Sequence, residues 1–191
     1  MRYFKKVEGD NIFLSPLNMD DYEIYTQWIN DLSTSVYLGN SSSLYSMYSE
    51  REALEGMVKS GYHFAIILKN GEKLLGNCSL FDLKPVHRSA ELGIFIGAAE
   101  YRGKGYGTEA LELLVGYGFR ILNLNNIMLK VFPFNARAIR SYQKAGFRQF
   151  GRRTQAFFLN GRYFDEIFME VLAKDFQSKY FNFDHLLGTN G

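Results

Sequence analysis

Residues 90–108 read Ala90-Glu-Leu-Gly-Ile-Phe-Ile-Gly-Ala-Ala-Glu-Tyr-Arg-Gly-Lys-Gly-Tyr-Gly-Thr108, an apolar run that passes into three closely spaced glycines. Ala90 to Gly97 has the β-branched and aromatic content of a strand. Just beyond Thr108, Leu111, Leu114, Val115, Gly118 and Leu122 recur at helical spacing and mark one stripe of an α-helix. Strand, glycine-rich turn and helix therefore follow in direct succession. In that order the unpaired first N–H groups of the helix, and its dipole, converge on the turn and favour an anion there. Glycines at Arg102-Gly-Lys-Gly-Tyr-Gly107 let the main chain approach a phosphate closely, and Arg102 and Lys104 add positive charge. A pyrophosphate is the natural ligand of such a turn.

Two other phosphate-binding patterns fit less well. A P-loop requires Gly-x4-Gly-Lys-Ser/Thr, which the chain lacks. A dinucleotide fold requires Gly-x-Gly-x-x-Gly and an acid at the end of the next strand to take a ribose hydroxyl. Here the glycines read Gly-x-Gly-x-Gly, and Asn125 to Phe132 contains no acid. Glycines in a plain surface turn are the remaining structural alternative, against which the strand–turn–helix order argues.

Working outward, Asn11 to Pro16 reads as a short strand stopped by proline. Asn18 or Asp20 then caps a helix carrying Tyr25, Trp28 and Ile29. A second helix is expected over Glu50–Lys59, with a left-handed cap at Gly61. The Ser- and Tyr-rich stretch Ser33–Ser49 between them reads as a long connection of the kind that moves or binds. Tyr62–Lys69, an Asn70-Gly71 two-residue turn and Leu74–Phe81 form a hairpin, and Ala90–Gly97 adds a third antiparallel strand. After the central helix come a strand at Ile127–Phe132, a helix over Asn135–Ala145 ending at Gly146, and a hairpin of Phe147–Thr154 and Tyr163–Leu172 around Asn160-Gly161. The expected fold is one α/β domain over residues 1–172, with a mixed, mostly antiparallel central sheet flanked by helices. Residues 173–191, with Tyr180, Phe181 and Phe183, form a tail aromatic enough to pack on the body or on a partner chain.

The balance of 22 Lys+Arg against 20 Asp+Glu, net +2, argues against a general nucleic-acid coat. A content of 47% hydrophobic and 22% charged residues is that of a folded globular chain. The only cysteine, Cys78, allows no intramolecular disulfide, which fits a reducing, cytoplasmic setting. The basic Met1–Lys6 start is followed by Val-Glu-Gly-Asp10, not by the apolar core of a signal peptide, and no run approaches the ~20 apolar residues of a membrane span. His63, His87 and His185 lack metal-ligand spacing, so no metal is expected. Cys78 and His87 form a nucleophilic pair only on paper, since a lone cysteine within Leu75–Phe81 reads as a small buried residue.

The segment Glu91–Phe147 closely resembles the GNAT superfamily of acyl-CoA-dependent N-acetyltransferases, in particular the branch holding spermidine and ribosomal-protein N-terminal acetyltransferases. Arg102–Gly107 matches its pyrophosphate motif, Arg/Gln-x-x-Gly-x-Gly/Ala. Asn135-Ala-Arg-Ala-Ile-Arg-Ser-Tyr-Gln-Lys-Ala-Gly-Phe147 matches its second motif, and Asn160-Gly-Arg-Tyr-Phe-Asp165 is similar to a turn of that branch. The chain departs from many members at Gly97-Ala-Ala-Glu-Tyr101, which has one residue more and no proline. The resemblance implies acetyl-CoA as co-substrate, bound by Phe95, Ile96, Arg102, Gly103, Lys104, Gly105, Tyr106, Gly107, Thr108, Asn135 and Tyr142. It also implies that Ile94–Ile96 splays from the neighbouring strand, freeing backbone N–H groups for pantetheine and the thioester carbonyl.

Direct acetyl transfer needs a neutral amine, a stabilised oxyanion and a protonated leaving thiolate. Asn135, Ile139 and Tyr142 fall on one helical face. A phenol of pKa ~10 can protonate a departing thiolate of comparable pKa, which makes Tyr142 the candidate general acid. A tyrosine beside Ile139 also serves as core, and Asn135 also serves as an N-cap. Glu91, at the start of the strand leading to the turn, is the candidate base, directly or through water, with an exposed strand-start acid as the structural alternative. The acceptor pocket is expected from the first two helices, Ser33–Ser49 and the hairpin near Phe157–Tyr163. It would take a polyamine, a protein N-terminus or another small amine. Asp20, Asp21, Glu23, Asp31 and Glu50 are the acids at hand for a polyamine, or simply a solvated face. No nucleic acid or membrane is implied, and a homo-oligomer is compatible. The alternatives from other classes are a non-catalytic CoA or nucleotide sensor and an interaction module.

Overall fold

The Asn160-Gly161 dipeptide adopts positive φ at both residues, 47° and 74°, as a type I′ hairpin turn requires. It joins two long strands in the computed structural model of the chain, which describes residues 2–181. These are β7 (Arg148–Leu159) and β8 (Arg162–Leu172). The other strands are β1 (Val7–Glu8), β2 (Ile12–Pro16), β3 (His63–Leu68), β4 (Lys73–Lys84), β5 (Ser89–Ile96) and β6 (Asn126–Val131). They form one eight-stranded sheet in the order β1-β2-β3-β4-β5-β6-β8-β7. Every neighbouring pair is antiparallel except β5 with β6. The expected mixed, mostly antiparallel sheet is therefore present. The β3–β4 connection departs from expectation: it has four residues, 69–72, with positive φ at Gly71 and Glu72 instead of at Asn70 and Gly71.

The helices are α1 (Tyr22–Asn30), α2 (Leu32–Leu38), α3 (Met47–Ser60), α4 (Tyr106–Arg120) and α5 (Ala136–Lys144). Their apolar faces divide the core between the two sides of the sheet. On one side Ile12, Leu14, Ile66, Leu80, Leu92, Ile127 and Met169 meet Leu111, Leu114 and Val115 of α4. On the other, Phe13, Ala65 and Ile67 meet Tyr25 and Trp28 of α1 and Leu54 of α3.

The stripe that marks α4 in the sequence understates its burial. All residues from Glu109 to Phe119 except Glu112 are buried. The chain after β8 covers the side that a surface helix would show to water: Phe176 packs on Phe119 at 5.5 Å, and Phe181 lies where a Cβ at Gly116 would be. A helix apolar all round needs such a second cover. Phe183 lies outside the described residues.

The Ser33–Ser49 stretch is not one long connection. Asp31 accepts the Ser33 N–H at 2.9 Å as an N-cap, Gly39 closes the helix at φ 78°, and α2 stands between them. Residues 32–38, Leu-Ser-Thr-Ser-Val-Tyr-Leu, have weak helix propensity, so the caps and tertiary contacts define the element. α3 also starts three residues before expectation, because Ser46 and Ser49 form a reciprocal capping box. Gly61 ends it with positive φ, 108°, but at ψ −91°, outside the left-handed helical region.

Candidate functional site

β5 and β6 pair only over Ser89–Asn126, Ala90–Ile127 and Glu91–Met128. Beyond that point the strands part, while Leu92–Ile96 stays paired with β4 on its other edge. Backbone groups on the open edge of β5 are left without a strand partner, a costly condition unless something else fills the gap. Into that gap opens a cleft of about 380 Å³. Its walls are Ile94, Phe95 and Ile96 from β5, Arg102, Gly103, Gly105, Gly107 and Thr108 from the turn and first turn of α4, and Asn135, Arg137, Arg140, Ser141, Tyr142 and Lys144 from α5. Thr34, Tyr37 and Leu38 of α2 close one side.

The turn is shaped for an anion. Gly103 and Gly105 have φ of 77° and 92°, accessible without strain only to glycine. Gly105 caps α4, with no side chain bonding to the first N–H groups, so these stay free for a ligand. Ala99–Tyr101, within Gly97-Ala-Ala-Glu-Tyr101, forms a turn of 3-10 helix ahead of the glycines.

Arg102 lines the cleft, and its side chain is also bonded within the protein. Its Nε donates to the Ile96 carbonyl at 2.8 Å, and one terminal nitrogen donates to the Gly97 carbonyl at 2.9 Å and to Thr34 Oγ1 at 2.6 Å. The guanidinium clasps the end of β5 to α2, so much of its hydrogen-bonding capacity is spent inside the protein. Burial, and then the nearby Arg137 charge, lower its pKa. Lys104 is not one of the lining residues; its ammonium lies 5.2 Å from the centre of the ring of Tyr101, which does line the cleft, and the Tyr106 ring packs 6.2 Å from the same ring.

Besides Arg102, the cations that line the cleft are Arg137, Arg140 and Lys144. Sequence reading passed over them, although their spacing of 3 and 4 residues puts them on one face of α5 with Tyr142 close by. Thr34, Tyr37 and Leu38 fall within Ser33–Ser49, the stretch expected to help build the acceptor pocket, but they stand on a helix and not on a connection.

Asn135 caps α5 by accepting the Ala138 N–H at 3.2 Å and lines the cleft as well. Tyr142, two helical turns on, is 8% exposed, and its ring lies 6.1 Å from Phe147. Burial alone pushes its hydroxyl up to about 12, so the phenol keeps its proton throughout the neutral range. Asn135, Tyr142, Phe95, Ile96 and the turn thus converge. Glu91 does not join them. It sits at the opposite end of β5, in a separate hollow with Asp82, Ser89, Met128 and Glu170, and pairs with Lys130 at 3.0 Å. Its position at the start of the strand, which suggested an acid near the amine, places it three residues before β5 begins to line the cleft.

Cys78 is fully buried, and burial pushes its thiol up, which disfavours a thiolate nucleophile. Among the described residues no group of three or more His, Cys, Asp or Glu is arranged to hold a metal ion, and no helix is long and apolar enough to cross a membrane.

A parted parallel strand pair beside a glycine-capped helix N-terminus is the arrangement that the resemblance to acyl-CoA-dependent acetyltransferases implies. Residues 11–148 match the acetyltransferase (GNAT) domain model, and the chain belongs to that family. It is 38% identical over 117 residues, 61% of its length, to the spermidine N(1)-acetyltransferase of Vibrio cholerae, and the match spans 65% of that relative. Over 178 residues, 88% of the chain and 98% of the relative, it is 30% identical to the probable N-acetyltransferase YjcK of Bacillus subtilis. The crystal structure of spermidine N-acetyltransferase from Vibrio cholerae in complex with CoA and spermine superposes with a TM-score of 0.78 at 28% identity, covering 87% of this chain and 98% of that one.

Proposed function

We propose that the chain is an N-acetyltransferase that moves the acetyl group of acetyl-CoA to a primary amine by direct attack. The observation that carries this reading is the parting of β5 and β6 beside the uncapped N-terminus of α4. Free N–H groups around Gly103–Thr108 receive the pyrophosphate, and Arg137, Arg140 and Lys144 answer the remaining phosphate charge. The open edge at Phe95 and Ile96 takes the pantetheine amides and polarises the thioester carbonyl. Arg102 acts as a positioning residue for that edge, through the Ile96 and Gly97 carbonyls. Asn135 orients the sulfur end of the cleft.

The acceptor nitrogen attacks the carbonyl carbon as a neutral amine. As the C–N bond forms and the C–S bond breaks, the sulfur takes its proton from the Tyr142 hydroxyl and the new amide nitrogen loses one to water. Water serves here because Glu91 lies in the other hollow. We assign residues 1–172 to the transferase domain and residues 173–191 to a tail, of which Phe176 and Phe181 pack on α4. The lone, buried Cys78 suits a reducing cytoplasm.

The test is Tyr142→Phe. It removes the proton donor and keeps the ring, so kcat falls about 100-fold, within the range of general acid contributions. Acetyl-CoA affinity by calorimetry stays within about twofold. Unchanged turnover would remove Tyr142 from the chemistry.

A further inference from the structure

Thr34 of α2 is 5% exposed and lines the cleft. Its Oγ1 accepts from a terminal nitrogen of Arg102 at 2.6 Å and donates to Asp31 Oδ2 at a longer 3.4 Å. The same Arg102 nitrogen donates to the Gly97 carbonyl, and Nε donates to the Ile96 carbonyl. One hydroxyl, used as donor and as acceptor, thus joins the N-cap of α2 to the carbonyls at the end of β5. Capping does not require it, since Asp31 already accepts the Ser33 N–H at 2.9 Å and the Ser33 hydroxyl at 2.7 Å. Those two bonds come first in holding the Asp31 carboxyl below its usual range, with smaller contributions from Thr34 and the Arg102 charge.

Tyr37 and Leu38 follow Thr34 at the spacing that shares one helical face, and all three line the cleft. The helix does not hold itself. Its interior, Ser33-Thr-Ser-Val-Tyr37, favours no helix, and so short an element is not stable alone. Its anchors are Gly39 against Phe132, Tyr37 at 6.0 Å from Phe134, and Thr34 on Arg102. The first two fasten α2 to the segment that leads into α5. Among the described residues only Thr34 joins an α2 side chain by hydrogen bond to the end of β5 and the glycine turn.

We infer that Thr34 is a positioning residue for acetyl transfer: through Arg102 it holds the cleft face of α2, Tyr37 and Leu38, against the open edge of β5. This rests on the transferase reading above, in which that edge carries the thioester. The turn and α5 receive the phosphates, and α2 bears no charged side chain. The place of α2 therefore governs where the thioester lies more than whether acetyl-CoA stays. A displacement of about 1 Å at a reacting centre can cost roughly 100-fold in rate.

The test compares the whole chain with Thr34→Val, which keeps shape and β-branching without the hydroxyl, and with Thr34→Ser, which restores it. Thiol release is measured with spermidine and with n-hexylamine, acetyl-CoA affinity by calorimetry, and amide exchange over residues 32–38 with and without acetyl-CoA. In Thr34→Val kcat should fall about tenfold or more while acetyl-CoA affinity stays within about threefold, and Thr34→Ser should recover most of kcat. Bound acetyl-CoA should slow exchange over residues 32–38 in the parent and in Thr34→Ser, and roughly tenfold less in Thr34→Val, whose α2 has lost its link to the ligand's edge. A folded Thr34→Val that keeps the parent's kcat or its exchange protection overturns the inference. A loss of acetyl-CoA affinity in step with kcat, or a Thr34→Ser as impaired as Thr34→Val, overturns it too. Thr34→Ala carries the same expectations if Thr34→Val does not fold. Acetyl-CoA binding by the parent without turnover of either amine counts against the transferase reading alone, and the exchange comparison then decides the role of Thr34. A parent chain that binds no acetyl-CoA overturns both.

Discussion

Replacing Arg102 by lysine separates two explanations of the family's leading arginine. If its role is charge for the pyrophosphate, lysine keeps that charge and affinity changes little. If its role is the clasp, lysine fails, because an ammonium on a flexible stem cannot span the Ile96 carbonyl, the Gly97 carbonyl and Thr34 Oγ1 as the planar fork does at 2.8, 2.9 and 2.6 Å. Lysine retains at best one of the three contacts. Each lost hydrogen bond to a charged group is worth about 1.5–3 kcal/mol, and the lower end applies at this half-buried site, so the expected loss is about 3 kcal/mol. For a chain of this size that lowers Tm by roughly 6–12 °C. The clasp also sets the open edge of β5, so acetyl-CoA binding weakens in step, by tenfold or more. Urea unfolding supplies the stability and calorimetry the affinity. A lysine variant that matches the parent in both would refute the clasp and return Arg102 to the phosphate.

Glu91→Gln tests whether the acid at the other end of β5 takes part in the chemistry. It removes one half-exposed ion pair with Lys130, worth at most about 1 kcal/mol, and should leave kcat within about twofold. A hundredfold loss of kcat would restore Glu91 as the base. On the alkaline side, Tyr142 holds its proton to about 12 when folded against 10.0 when free, so between those values the unfolded chain binds fewer protons and stability falls as pH rises. That single group contributes about 2–3 kcal/mol over the interval, and Tyr25 and Cys78, also raised by burial, act in the same direction. Urea midpoints measured from pH 8 to 11 should decline above pH 9, and a flat profile would refute the burial of these groups. For the same reason Tyr142→Phe should remove no alkaline limb of kcat below about pH 10.

The local chemistry of turns and caps was readable because it depends on residues adjacent in the chain. Asn160-Gly161, the glycines at 103 and 105, and Asn135 ahead of α5 each adopt the conformation their side chains, or lack of one, impose. The α2 helix escaped notice because its interior residues favour no helix, and only the flanking Asp31 and Gly39 hinted at it. Yet α2 supplies Thr34 to the Arg102 clasp and Tyr37 to the cleft. Likewise the apolar stripe of α4 said which face meets the sheet, but not that the segment after β8 would cover the opposite face.

By itself the sequence determined the strand–turn–helix unit, the alternating antiparallel strands and the motif that marks the family, all set by short-range sterics, hydrogen bonding and periodicity. Only the tertiary structure decided that β5 leaves β6 after Glu91, that Arg102 donates to two carbonyls and a hydroxyl, and that Glu91 belongs to another hollow. Those outcomes depend on which distant segments share a space once the sheet is assembled. Thr34 and Arg102 are 68 residues apart, and no local rule pairs them.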